Sequence, residues 1–192
     1  MKKKNNMIRF ISDMHLSHAN VIKFNNRPFS NAHEMNEKLI ENWNSVVKDE
    51  DVVYHLGDFS FDSPGYTAEY MKRLKGKIKF IRGNHDNTIH KLFINKIITN
   101  PRFEYLHHYH EFAINKERFV LFHYPIENWP GKYRDSIHIH GHSHFIFGNT
   151  MKNRFDVSVE GINYTPISLD DILHLKVKGA YPGRTIDTLS PK

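Results

Sequence analysis

Polar residues of a narrow set recur wherever a short apolar run of this chain stops. Runs at residues 7–12, 51–56, 77–81, 103–107, 118–122, 136–140 and 154–159 have the length and composition of strands. At or just past the ends of most of them stand Asp13-Met14-His15, Gly57-Asp58, Gly83-Asn84-His85-Asp86, His123 and Gly141-His142-Ser143-His144. In α/β sheets the loops beyond the carboxyl ends of strands form the functional crevice. The spacing therefore predicts a fold whose strand ends share one edge, where side chains from distant parts of the sequence meet.

Helices are expected between the early strands. Across residues 34–48, Met35, Leu39, Trp43 and Val46 mark one apolar face, and Asn31 with Glu34 forms a cap. Residues 64–75 put Tyr66, Tyr70 and Leu74 on one side and stop at Gly76. A third helix is expected over 88–98, before Pro101, and Ser168 with Asp171 caps a last one reaching about Leu175. Strand and helix alternate in the first half, while strands dominate the second. This order predicts a layered α/β protein with a parallel beginning and a β-rich end. No linker or repeat divides the 192 residues, which suit one domain spanning 1–192.

Taken singly, the polar segments have ordinary explanations. Gly-Asp after a strand is a common turn, and a lone histidine such as His123 is often a hydrogen-bonded core residue. Together they are a set of carboxylate, imidazole and amide donors suited to manganese, iron or zinc. The chain has fifteen histidines and no cysteine, so disulfides and thiolate sites are excluded and any metal is held by nitrogen and oxygen.

These motifs, in this order, resemble the calcineurin-like metallophosphoesterase superfamily, in particular its small single-domain bacterial and phage members. The resemblance runs from Asp13 to His144. It implies a four-layer α-β-β-α sandwich of two mixed sheets flanked by helices, with metals at one edge. It further implies two divalent ions, manganese foremost, with iron, zinc or nickel as other occupants. One ion would take Asp13, His15 and His144, the other Asn84, His123 and His142. Asp58 would bridge them with one oxygen for each. A hydroxide between the ions would attack phosphorus, and His85 would act as a catalytic residue outside the ligand set, oriented by Asp86 or Asp62. The protein Ser/Thr phosphatase pattern is not followed: Asp58 leads into Phe59-Ser60-Phe61-Asp62 without Arg-Gly, and the third motif ends in Asp86.

The net charge of +6 favours anionic partners. The expected substrate is a phosphodiester of a nucleotide or nucleic acid. A phosphomonoester of a small metabolite is the alternative, and a non-catalytic nucleic-acid-binding module or a purely structural metal site are the rivals. Candidate substrate contacts are His18, Asn20, Arg27, Lys132 and Arg134. Of these, Arg27 lies in an expected surface loop, and the last two belong to an aromatic, basic loop from Trp129 expected at the rim of the site. His138 and His140 alternate with Ile137 and Ile139 and are expected to be structural, and His107, His108 and His110 an exposed strand or turn. The N-terminal Met1–Met7 stretch is basic, but the apolar run after it, Ile8 to Ser12, is too short and too charged for a signal peptide, and no membrane span is present. A cytoplasmic location is expected, and the sequence leaves the oligomeric state open.

Overall fold

The computed structural model describes residues 6–146 and 151–178; the lysines of the N-terminal stretch lie outside them. Strands β1 (Ile8–Ile11), β2 (Val52–His55), β3 (Lys77–Phe80) and β4 (Phe103–Tyr105) run parallel in the order β4-β3-β2-β1. A two-residue strand, β9 (Ile167–Ser168), closes this sheet antiparallel to β1. The second sheet has the order β5-β6-β7-β8. In it β5 (Tyr109–Ile114) pairs antiparallel with β6 (Glu117–Phe122), while β6, β7 (Ile137–His140) and β8 (Arg154–Asp156) are parallel. Both sheets are mixed, as the resemblance implies.

Between the sheets lies a stacked aromatic tier. Phe10 of the first sheet sits 6.4 Å from Phe119 of the second, with Tyr54 and Phe112 continuing the stack. The strand expected over 154–159 divides between the sheets. Its first half pairs with β7, and then Ser158 bridges to Ser12 at the end of β1. Ser12 donates its N–H to Val157 and Val159 donates to Ser12, at 2.9 and 3.2 Å, stitching the sandwich shut along one edge.

Helices flank the first sheet's strands in sequence. Helix α2 (Ala32–Val46) buries Met35, Leu39, Ile40 and Trp43, close to the expected face. Asn31 accepts the Glu34 N–H at 2.9 Å, and the Glu34 carboxylate accepts the Ser30 N–H at 2.8 Å, so the expected cap is present. Helix α3 (Pro64–Arg73) buries Thr67, Ala68 and Met71; Tyr66 is exposed, so the apolar stripe is turned by one residue from the expected Tyr66–Tyr70–Leu74 line. Tyrosine at the first turn is amphipathic, and its hydroxyl favours the solvent side. Helix α4 (Asn87–Ile94) is shorter than expected because the Ile97 and Ile98 N–H groups fold back onto the Leu92 carbonyl. Helix α5 (Leu169–Lys178) begins as expected, with Ser168 Oγ accepting the Asp171 N–H. The short helix α1 (Ala19–Phe24) and β9 have no counterpart among the elements expected from sequence, and β5 begins within the exposed strand or turn expected at 107–110. Among the described residues no helix is long and apolar enough to cross a membrane.

Candidate metal centre

All five motifs lie beyond carboxyl ends of strands: Asp13 and His15 after β1, Asp58 after β2, Asn84 and His85 after β3, His123 after β6, and His142 and His144 after β7. Five of these residues hold left-handed backbone: Asp13 (φ 57°), His15 (50°), Asp58 (58°), His142 (68°) and His144 (47°). Such conformations cost about 1–3 kcal/mol each and persist only when the surroundings over-determine them. The surroundings here do so through hydrogen bonds between the loops.

Each carboxylate divides its two oxygens between these loops and the centre. Asp13 Oδ2 accepts the His142 N–H at 2.9 Å and the Ser158 hydroxyl at 3.0 Å, leaving Oδ1 turned inward. Asp58 Oδ1 accepts the His85 N–H at 2.9 Å, while Oδ2 stands 3.6 Å from both His15 Nε2 and His123 Nε2. The expected split of Asp58, one oxygen to each ion, is therefore not the geometry found. One oxygen is spent on backbone, and the other faces both sets of imidazoles.

The imidazoles are oriented from behind. His123 Nδ1 donates to the Leu56 carbonyl at 2.7 Å, and His144 Nδ1 donates to Glu160 Oε1 at 2.9 Å. With the proton on Nδ1, each Nε2 presents a lone pair to the centre. His144 Nε2 lies 3.7 Å from Asp13 Oδ1, as does His15 Nε2. His123 Nε2 and His142 Nδ1 each lie 3.0 Å from Asn84 Oδ1. These are donor atoms for a cation facing one another, lone pair to lone pair. Ligands about 2.0–2.2 Å from one ion are held apart at about such distances.

Two observations fit a cation to this set. Asp13 Oδ1 and His15 Nε2 are buried without a hydrogen-bond partner, a costly state for polar atoms unless an ion satisfies them. Asp13, His15 and His144 form one compact ligand group, and Asp13, Asp58 and His123 form another. The electrostatics agree. Burial pushes the Asp58 carboxyl up to about 7, with His123 opposing and Asp13 and Asp86 adding to it. Burial would raise Asp13 too, but the imidazoles of His15, His123 and His144 hold it well below the usual carboxylate range. Burial takes His15 down to about 4, which keeps it a neutral ligand.

The other expected site residues fare differently. Asp86 accepts the backbone N–H groups of Asp58, Phe59 and Gly83 at 2.8, 2.9 and 2.8 Å. It clamps the Asp58 and Asn84 loops together and takes no hydrogen bond from the His85 ring, so its expected catalytic place is corrected to a positioning one. Asp62 accepts from Ser17 and Tyr70 instead. His85 is exposed beside the cage, its ring 5.7 Å from that of His15. His18 faces the same space, stacked on Phe61, and Asn20 is exposed on α1. Arg27 is a correction in full. It is only 4% exposed, and its guanidinium donates to the carbonyls of Asp13 and Met14 and to Glu160, which leaves it no access to substrate. Lys132 and Arg134 are corrected as well. They precede β7, and Gly131 beside them lies against Arg118 at the start of β6, whereas His123 and His142 follow the opposite ends of those strands. Parallel β6 and β7 require their connection to return to the starting edge. The aromatic, basic loop therefore lines a cavity of about 450 Å³ at the far end of the second sheet.

His138 is structural as expected, its Nδ1 donating to Val120 and its Nε2 accepting from Ile126. Sequence reasoning missed Glu160, Ser158 and Asp156. Asp156 accepts from the Ser143 hydroxyl at 2.6 Å and the Phe145 N–H at 2.9 Å, holding the loop of His142 and His144. These residues end or follow β8, so the rule that located the ligands, polar groups past a strand end, would have found them.

Residues 7–158 match the family model described as the calcineurin-like phosphoesterase superfamily domain. The chain is 42% identical over 190 residues to the uncharacterized protein MJ1445 of Methanocaldococcus jannaschii, covering 95% of this chain and 97% of that one. It is similar in structure to a protein of unknown function, AQ665, from Aquifex aeolicus. That likeness has 28% identity and a TM-score of 0.69, and it covers 89% of this chain and 100% of the other.

Proposed function

The chain belongs to the calcineurin-like phosphoesterase superfamily and is a metal-dependent phosphoesterase; from that premise we propose that it holds two adjacent divalent cations, manganese foremost, and hydrolyses a phosphodiester of a nucleotide or nucleic acid. The observation that carries the paired site is the inward oxygen of Asp58, equidistant at 3.6 Å from His15 Nε2 and His123 Nε2. Asp13, His15 and His144 complete one ligand set around it, and Asn84, His123 and His142 the other. Bound there, two divalent cations supply Lewis acidity, lowering the pKa of water and neutralising charge on phosphoryl oxygens.

The chain's own groups do the rest. Glu160 and the Leu56 carbonyl keep His144 and His123 in the tautomer that offers Nε2. Asp86 fixes the two loops that carry Asp58 and Asn84. His85, exposed above them, is the group able to reach the departing oxygen and give it a proton; such catalysis is typically worth about 10²–10⁴-fold. The side formed by Asn84, His85 and His142 is open to solvent, which admits a diester with substituents on both flanks.

Manganese-loaded protein is expected to hydrolyse bis-p-nitrophenyl phosphate faster than p-nitrophenyl phosphate, and to carry two manganese ions per chain by elemental analysis. His123→Ala should lose activity and one equivalent of metal. A single ion at saturation contradicts the paired site, and a preference for the monoester reassigns the substrate to phosphomonoesters. Fully loaded protein inert on both compounds and on nucleotides rejects the proposal.

A further inference from the structure

One wall of the cage is aromatic rather than charged. Leu16 bridges to Ser60, and Phe61 donates its N–H to the Leu16 carbonyl at 2.9 Å, which sets His18 beside Phe61. Their rings stack with centroids 3.9 Å apart and planes 13° from parallel. Phe61 continues to His85 at 4.8 Å and to His15 at 5.2 Å, and Phe24 meets the His18 ring edge-on at 6.5 Å. Phe59, two residues earlier, is fully buried, whereas Phe61 is 40% exposed and Phe24 75%. Burying a phenylalanine side chain gains about 1.5–3 kcal/mol, a gain this fold forgoes in part at two rings. A lone exposed apolar residue is ordinary. Two rings joined through His18 and running up to His15 and His85 form a continuous surface that ends at the cage.

We propose that Phe61, backed by His18 and extended by Phe24, is a subsite for a planar aromatic substituent of the phosphoester. The substituent stacks on the Phe61 ring while the phosphate faces the ligand cage. The inference rests on the phosphoesterase reading above and narrows its substrate class to esters that carry a nucleobase or an aryl group. A phenylalanine face has no hydrogen-bonding edge, so it takes any such ring; stacking of this kind is worth roughly 5- to 150-fold in affinity per ring.

Calorimetric titration of manganese-loaded protein with three phosphonates that cannot be hydrolysed tests the proposal: methylphosphonate, phenylphosphonate and the phosphonate analogue of adenosine monophosphate. At least one ring-bearing ligand should bind about tenfold more tightly than methylphosphonate. Phe61→Ala should erase that gain and leave methylphosphonate within about twofold, Phe61→Trp should retain it, and Phe24→Ala should reduce it. A gain confined to the adenosine ligand assigns nucleotides, and one confined to phenylphosphonate assigns aryl esters. Equal binding of all three to the wild-type protein overturns the subsite alone. So does a Phe61→Ala variant that weakens methylphosphonate as much as the aromatic ligands. If none of the three shows manganese-dependent binding, the ion cage itself is rejected, and the subsite with it.

Discussion

Arg27 and Glu160 illustrate how much of the centre is held by residues that cannot touch substrate. Glu160 accepts the Nδ1 proton of His144 and two guanidinium contacts from Arg27, whose remaining donors end on the carbonyls of Asp13 and Met14. One ion pair thus fixes a ligand from each end of the motif set. A carboxylate behind a ligating imidazole raises its basicity and sets its tautomer. At His144 the effect is visible: burial pulls its pKa down, but Glu160 and Asp13 outweigh burial and raise it. Glu160→Gln keeps an acceptor for Nδ1 and removes the charge, so manganese affinity measured by calorimetry should fall about 10–100-fold with the fold intact. Arg27→Met should act on stability instead. It strands a largely buried carboxylate and two carbonyls, at a cost of about 3–5 kcal/mol in urea unfolding. Lysine cannot substitute, because a single ammonium cannot span contacts placed for a fork of donors.

At the scale of elements, the ligand loops approach so closely that side chains are excluded between them. A Cβ on Gly83 would collide with the carboxylate and backbone N–H of Asp58, and one on Gly141 with Asp13 and Ser12. Gly83→Ala should therefore cut turnover by two orders of magnitude or more, read as kcat at saturating metal, because it displaces the bridging carboxylate. The α2 cap is the contrasting case. Asn31→Ala removes the acceptor for the Glu34 N–H and should cost about 1 kcal/mol of unfolding free energy without changing turnover. That cap was readable in the sequence because it is local chemistry at a fixed spacing. The parallel strands were readable because both their faces are buried and their runs are apolar throughout. What escaped was set by tertiary contact. Ile167 and Ser168 form a strand only because Arg9 and Phe10 lie beside them. Lys132 and Arg134 looked near the site because His123 and His142 bracket them in sequence, but the parallel crossover carries them to the far edge. Arg27 looked like a surface group because charge alone does not reveal a buried partner 133 residues away.

For the whole molecule, the balance of buried titratable groups sets how it responds to acid. Burial drives His55 and His138 down to about 3; at His138 the nearby His140 and Arg154 add to the effect and its backbone hydrogen bonds oppose it. Unfolding returns each to an ordinary value near 6.5, so between pH 6.5 and about 3 the unfolded chain binds protons the folded one refuses. Stability must then fall as pH drops through this window. Asp58 acts in the opposite sense. Its folded value near 7 lies above the unfolded one, so the folded protein takes up a proton first and gains stability as pH falls from 7 toward 4. Net acid sensitivity is a contest between these groups, and a variant separates them. His138→Gln retains a donor and an acceptor for the Val120 carbonyl and Ile126 N–H but cannot titrate. It should be less stable than wild type at pH 7.5, where a good fit matters most. Below pH 6 its stability should decline less steeply, by roughly 1 kcal/mol per pH unit, in urea unfolding of the metal-free protein. Parallel pH profiles for the two proteins would assign the acid response to Asp58 and the remaining groups, and remove His138 from the account.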